Sequence, residues 1–277
     1  MEADVPVERC VLMTGARQVE IAHRENAGCL IAELSGRLDA LSYRGLRDEL
    51  IKLAVEQPRA VIVDIDQLEI QNEPALTAFS SAWSRVNVWP EVPILLVARD
   101  SAQRGKLGRG TVAHFVPVFR TIGNAIAAVK KPPARRRRTA DYPPVITSSA
   151  LARKFVRRTC ADWGLRDCAP DASSVACELV ENAVRHAETG LQVRLEYRSG
   201  LLTVAVRDAD PRMAVIKQAA SGRPDGYGLQ IVADLARIWG CAPDMRGGKV
   251  VWAVLTIGRD WFRRYPVWHP PGFPGPP

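Results

Sequence analysis

A chain of 277 residues is longer than most single domains, so two domains are expected. With 47% hydrophobic and 25% charged residues it has the composition of an ordinary folded protein, which excludes the disordered and fibrous classes. The net charge is +8, but Lys130, Lys131 and Arg135 to Arg138 supply six of those charges, and without them the balance falls to +2, so the basic character belongs to one segment.

In chain order, Cys29 to Gly36, Ala60 to Ile65 and Val92 to Ala98 are short, β-branched and bounded by turn residues, the pattern of strands. Between them, Ser42 to Gln57 sets Leu46, Leu50, Leu53 and Ala54 at helical spacing, and Pro74 to Val86 does the same with Leu76, Phe79 and Trp83. Thr121 to Lys131 closes as a helix. Alternating strand and helix implies an α/β sandwich. The segment Lys130 to Pro144 combines prolines with four adjacent arginines and is read as a solvated linker. Helices are expected over Ser148 to Leu165 and Asp171 to Glu188, the second with Asp171 as N-cap. Two strands in Leu191 to Asp210 turn through Ser199 and Gly200 as a hairpin. A helix over Gly226 to Gly240 and a strand over Gly248 to Ile257 complete an α+β layer. The expected division is 1–129 and 145–258 as domains, 130–144 as linker and 259–277 as a proline-rich tail.

No apolar run approaches the ~18 residues of a membrane span, and the first thirty residues lack the apolar centre of a secretion signal, so a cytoplasmic location is expected. Six cysteines with no C-x-x-C pair and no histidine at metal spacing favour reduced thiols and no structural metal.

The stretch from Cys177 to Ala187 carries the chemistry. Glu178, Asn182 and His186 recur every four residues among apolar neighbours and form one polar stripe on the helix. Such a stripe either faces water or lines a site. Asn182 can offer an amide oxygen to magnesium, which fills its octahedron with waters and phosphate oxygens. Glu178, one turn earlier, can take a proton from an attacking hydroxyl. Asp208, ending a strand, is when ionised an acceptor suited to the amino group of adenine. Gly226 and Gly228, ahead of Leu229, would let backbone amides approach phosphates. Each element alone has a plain structural alternative.

Taken in order, ELVENAVRHA, VRDADP, GYGLQIVADLARIWG and GGKVVWAVL resemble the GHKL (Bergerat-type, histidine-kinase-like) ATPase domain, and within it the anti-sigma-factor serine kinases of bacterial partner switches. The resemblance spans roughly Val145 to Ile257. It implies Glu178 as general base, Asn182 as magnesium ligand, Asp208 as reader of adenine, and Gly226 and Gly228 on the phosphate side. Lys249 and Trp252 fall on the closing G-K-x-V-W strand, and the resemblance counts Lys249, like Leu229, among the nucleotide-binding residues. Arg185 is either a phosphate neighbour or a solvated helix charge, and His186 is read as structural or peripheral. ATP and Mg2+ are the implied cofactors. Two departures stand out: Asp210 places a second carboxylate where a small neutral residue is usual, and Tyr227 stands where an arginine is common. A charge at Asp210 close to a triphosphate would weaken binding or move the metal.

In the first half, SGRLDA (Ser35 to Ala40), VIVDI and the loop before Pro74 resemble the STAS domain of anti-sigma-factor antagonists, over about Val19 to Lys131. The family's loop carries a hydroxyl that accepts phosphate, whereas Asn72, Glu73, Pro74 and Ala75 carry none. Glu73 either imitates a phosphorylated residue, with one negative charge in place of nearly two, or marks drift. The implied partners are a STAS antagonist and a sigma factor, and homodimerisation is common in the resembled kinases. Three functions follow: a protein-serine kinase, a nucleotide-gated binding module without chemistry, and a nucleic-acid adaptor acting through Arg135 to Arg138.

Overall fold

The computed structural model describes residues 8–14, 17–109, 111–129, 135–187, 189–198, 200–214 and 228–257. The chain is mixed α/β and falls into two compact units, the first Met1–Pro132 with Pro243–Met245 and the second Pro133–Ala242 with Arg246–Pro277. The expected proline-rich tail, 259–277, lies outside the described residues, as do Lys130 and Lys131.

The first unit is built on a six-stranded sheet in sequence order. Strands β1 (Glu8–Thr14), β2 (Arg17–Asn26) and β3 (Cys29–Leu38) are antiparallel. Ala27 and Gly28, at φ 51° and 72°, make the two-residue turn between β2 and β3. Parallel pairing then adds β4 (Val61–Ile70), β5 (Ile94–Val97) and β6 (Val118–Phe119). The connections hold α1 (Tyr43–Val55), a 3-10 turn at Glu73–Leu76 running into α2 (Thr77–Val86), and α3 (Ser101–Arg109); α4 (Ile122–Ala128) follows β6. Helix α1 buries Leu46, Leu50 and Leu53, and α2 buries Phe79, Ala82 and Val86. One sheet face, with Ile31, Ile62, Leu95 and Val97, packs on Ala125, Ile122 and Ile126 of α4.

The second unit has a five-stranded sheet. Its elements are β7 (Arg136–Tyr142), α5 (Ser148–Trp163), α6 (Ala169–Ala187), β8 (Leu191–Arg198), β9 (Leu201–Asp208), α7 (Gly228–Leu235), β10 (Ile238–Pro243) and β11 (Lys249–Thr256). The order is β10-β11-β9-β8-β7, with antiparallel pairing from β11 through β7. Val156 and Cys160 of α5 and Val175, Leu179 and Val180 of α6 meet Val193, Leu195, Val204, Val206, Val251 and Ala253 in one core. No helix among the described residues is long and apolar enough to cross a membrane.

Three expectations change. The arginine segment is not linker throughout: Arg136–Tyr142 is an edge strand. Each guanidinium there has a use within this unit. Glu196 of β8, 6% exposed, pairs with Arg135 at 3.1 Å and Arg137 at 3.6 Å. Arg138 reaches Asp162 at 2.6 Å, and Arg136 donates to the carbonyl of Trp163 at 3.2 Å. Alternation sends neighbouring arginines to opposite faces, so the charges need not crowd one another. Second, α6 begins at Ala169, so Asp171 lies in the first turn, beside the positive helix end, and is not the N-cap. Third, the helix expected over 226–240 ends at Leu235, and Ile238–Pro243 is a strand. Gly240 is needed there because a Cβ would meet the Trp252 indole at 2.6 Å.

If the arginine strand is integral to the fold, Glu196→Ala lowers stability by about 1–3 kcal/mol, because a buried acceptor for two guanidinium groups is removed. Denaturant titration reads this; an unchanged midpoint would return the segment to the role of a linker.

Candidate functional site

Four elements meet around the residues singled out in the second unit: α6, the end of β9, the start of α7 and the start of β11. Helix α6 packs on β9, β11 and α7, which fixes its polar stripe close to the strand ends. Glu178 and Asn182 are half-buried, and Arg185 is exposed on the same helix. The Glu178 carboxylate lies directly against the first residue of α7: a Cβ on Gly228 would come 2.5 Å from Glu178 Oε2. Glycine at this position is therefore what lets the carboxylate and the helix start share one place. Burial pushes the Glu178 carboxyl above its ordinary range, the charge of Glu181 adds to this, and Arg185 opposes it. A carboxylate raised in this way is better matched to taking up a proton near neutral pH. Leu229, next along α7, is buried in the core and sets that helix on α6.

At the end of β9, Asp208 is 3% exposed, and its register partner on β11 is Lys249, 1% exposed. Lys249 Nζ donates to Asp208 Oδ1 at 2.8 Å, to Asp210 Oδ2 at 3.1 Å and to the Asp210 carbonyl at 3.1 Å. All three ammonium hydrogens therefore find acceptors inside the protein. Asp208 Oδ1 also accepts from the backbone amide of Asp210 at 2.9 Å. Asp208 Oδ2 is buried and has no hydrogen-bond partner among the described residues. Burial pushes the Asp208 carboxyl upward, with the Lys249 hydrogen bond its chief opponent. Asp210 is held well below the usual carboxylate range, first by Arg212 and then by Lys249.

Arg212 extends the cluster to α6. Its Nε donates to Asp210 Oδ1 at 2.9 Å, and its guanidinium donates to the carbonyl of His186 at 3.0 Å. Cys241 on β10 accepts from the backbone amide of Ala214 at 3.4 Å, with its thiol pushed up to about 11 by burial. Residues 212–214 are thus held on both sides as they leave the strand. Asp210, expected as a bare negative charge, is neutralised by two cations, so the repulsion foreseen for a triphosphate is offset by its own neighbours. Lys249, expected to face a ligand, is the buried tie between the two aspartates. Gly226 and Tyr227 lie outside the described residues.

An acceptor buried without a donor is costly, by roughly 1–3 kcal/mol, and calls for a partner that brings an N–H or O–H. Asp208 Oδ2 fits the exocyclic amino group of adenine in this respect. Asn182 and Glu178 fit the metal and proton-accepting roles by residue type and by place on the helix. Arg212 and the caging of Lys249 escaped the sequence reading. Their signal was present: a lysine at an inward strand position needs carboxylates, and D-x-D ends the neighbouring strand.

A separate shallow hollow, lined by Gln192, Arg194, Ala205, Arg207 and Val250, holds none of these residues. Strand alternation puts its lining on the sheet face away from α6.

In the first unit, Asn72 caps the 3-10 turn by accepting from the amide of Ala75 at 3.0 Å, leaving Glu73 exposed. The nearby hydroxyls are engaged. Thr77 donates to the Pro74 carbonyl at 2.6 Å, Ser80 to that of Thr77 at 3.1 Å, and Ser81 meets the Tyr43 hydroxyl at 2.6 Å.

No family model matches the chain, and no curated protein matches it. Among solved structures it is similar to an anti-sigma factor antagonist from Mycobacterium paratuberculosis, at 18% identity and a TM-score of 0.36, over 45% of this chain and 96% of that one. It is also similar to the phosphorylated form of the Bacillus cell fate determinant SpoIIAA, at 16% identity and a TM-score of 0.30, over 42% of this chain and 100% of that one.

The two glycines at the site separate cleanly. A Cβ on Gly248 would meet the backbone carbonyl oxygen of Asp208 at 2.0 Å, and backbone cannot swing aside. Gly248→Ala is expected to destabilise the second unit by at least about 1–3 kcal/mol. At Gly228 the obstacle is the end of the Glu178 side chain, which can rotate away. Gly228→Ala leaves the melting temperature within a few degrees and brings the Glu178 pKa down, because the displaced carboxylate regains water; carboxyl-carbon NMR titration reads the shift.

Proposed function

We propose that the second unit binds an adenine nucleotide with Mg2+ between α6, the end of β9 and the start of α7, and that the chain acts as a regulator in a bacterial partner switch. The observation that carries this is the buried Asp208 Oδ2, an acceptor with no donor among the described residues. Its place as the register partner of Lys249, with Glu178 set against Gly228, supports the same reading. Asn182 would hold the magnesium ion, which neutralises charge on the phosphates when bound. Glu178 would take the proton from a serine hydroxyl of a protein substrate, and its raised pKa suits that task.

The substrate in this scheme is a separate STAS antagonist. The first unit's own loop offers Asn72, Glu73, Pro74 and Ala75, and Thr77, Ser80 and Ser81 are already hydrogen-bonded around it. That unit would dock partners, while the nucleotide site modifies an antagonist or sequesters a sigma factor. The alternative, a nucleotide-gated binding module without chemistry, keeps Asp208 essential and makes Glu178 dispensable.

The full chain incubated with labelled ATP, Mg2+ and a STAS antagonist should transfer label to a serine. Glu178→Ala should slow transfer by about 10²–10⁴-fold while leaving nucleotide affinity near its original value. Asp208→Asn should weaken ADP binding by roughly 10- to 100-fold. Transfer that survives Glu178→Ala rejects the kinase mechanism, and a chain that ignores adenine nucleotides at millimolar levels rejects the site.

A further inference from the structure

The cage around Lys249 has a chemical consequence for which base the pocket accepts. One oxygen of Asp208 is fixed from two directions, by Lys249 Nζ at 2.8 Å and by the Asp210 amide at 2.9 Å. With one oxygen pinned, the carboxylate plane is set and the second oxygen has a fixed direction. An ionised carboxylate only accepts hydrogen bonds, whereas a protonated one also presents an O–H donor. A carboxyl buried to this degree loses its charge unless a cation faces it. Lys249 is that cation, since the charge of Asp210 acts in the opposite sense.

We infer that Lys249 is a specificity-determining positioning residue: by keeping Asp208 ionised and its free oxygen fixed, it makes the pocket select an amino group over a carbonyl at C6 of a purine. The inference rests on the adenine-nucleotide reading of the site. Adenine presents a donor at C6 and hypoxanthine an acceptor. With Lys249 present, Asp208 attracts the first and repels the second. Without it, the protonated carboxyl donates to the hypoxanthine carbonyl, and discrimination collapses.

Among the described residues, the charged and titratable groups on the elements packed around Asp208 are few. They are Lys249 on β11, Asp210 and Arg212 in the segment after β9, the Cys241 thiol on β10, and Glu178, Arg185 and His186 on α6, while α7 contributes apolar Leu229 and Val232. The thiol is neutral throughout the neutral range. The groups of α6 are common to wild type and variants, so the wild type serves as their control.

The test is calorimetric titration of the full chain with ADP and with IDP between pH 6 and pH 9. Wild type is expected to favour ADP by roughly 10- to 100-fold, with a ratio that stays flat across this range. Lys249→Met should lose most of that ratio at pH 6 and recover it as pH rises, because Asp208 then releases its proton and becomes an acceptor again. Lys249→Arg should retain the wild-type ratio. A Lys249→Met protein that keeps a flat, undiminished ratio overturns the inference, while wild-type ADP binding leaves the nucleotide site standing. Absence of ADP binding by wild type overturns the nucleotide site itself. If Lys249→Met fails to fold, Lys249→Met with Asp208→Asn removes both members of the pair. That double variant should bind ADP and IDP with a pH-independent ratio; a pH-dependent ratio would place the titrating group elsewhere and reject the proposal.

Discussion

The second unit turns on an ammonium group buried between two carboxylates. Lys249 enters on β11 at an inward position, where every alternate neighbour is apolar, and such a group is tolerated only with its charge and all its hydrogens satisfied. Asp208 and Asp210 do this from the end of the adjacent strand. The arrangement ties three things together: the register of β9 on β11, the path of the chain leaving β9, and the chemical state of the carboxylate at the candidate site. Removing one member would leave the others unbalanced. That makes the cluster both a structural clamp and the electrostatic setting of the candidate site.

From this clamp the remaining geometry follows outward. Arg212 carries the chain from Asp210 to the end of α6, and α6 in turn places Glu178 against Gly228. The acidic residues thus acquire different characters through their surroundings. Asp210, with two cations, is pushed down; Asp208 and Glu178 are pushed up by burial, Glu178 also by the glutamate beside it. Separation of this kind is how a site assigns different roles to chemically similar groups.

Much of the architecture was legible because amphipathic periods were strong. Leu46, Leu50 and Leu53 in α1, Phe79 in α2 and the stripe of α6 all fall where their spacing places them. The missed elements fail for physical reasons. Strand β2 alternates buried Val19, Ile21 and His23 with more exposed Glu20, Ala22 and Arg24, so its period of two is present but carried by few apolar residues. Helix α3 is polar and contains two glycines; its cue is Asp100, whose carboxylate accepts from the amides of Ala102 and Gln103. Strand β10 follows α7 after a two-residue gap and continues its apolar character, which hides the break. At the site, residue types and order were readable, whereas the Lys249 cage depends on a strand register that no linear spacing reveals. That same register gives Asp210 a cationic neighbour in Lys249, beside Arg212, which the linear reading did not foresee.

The row of guanidinium groups on β7 has a further effect that concerns other molecules. This strand forms one rim of the sheet, where unpaired backbone groups would otherwise offer a template for a passing extended chain. Arg136, Arg137 and Arg138 remain exposed even while engaged by Trp163, Glu196 and Asp162. A second copy approaching edge-on would have to bring its own arginines against these. Like charges along that rim therefore discourage sheet extension and the fibrous association to which bare strand edges are prone.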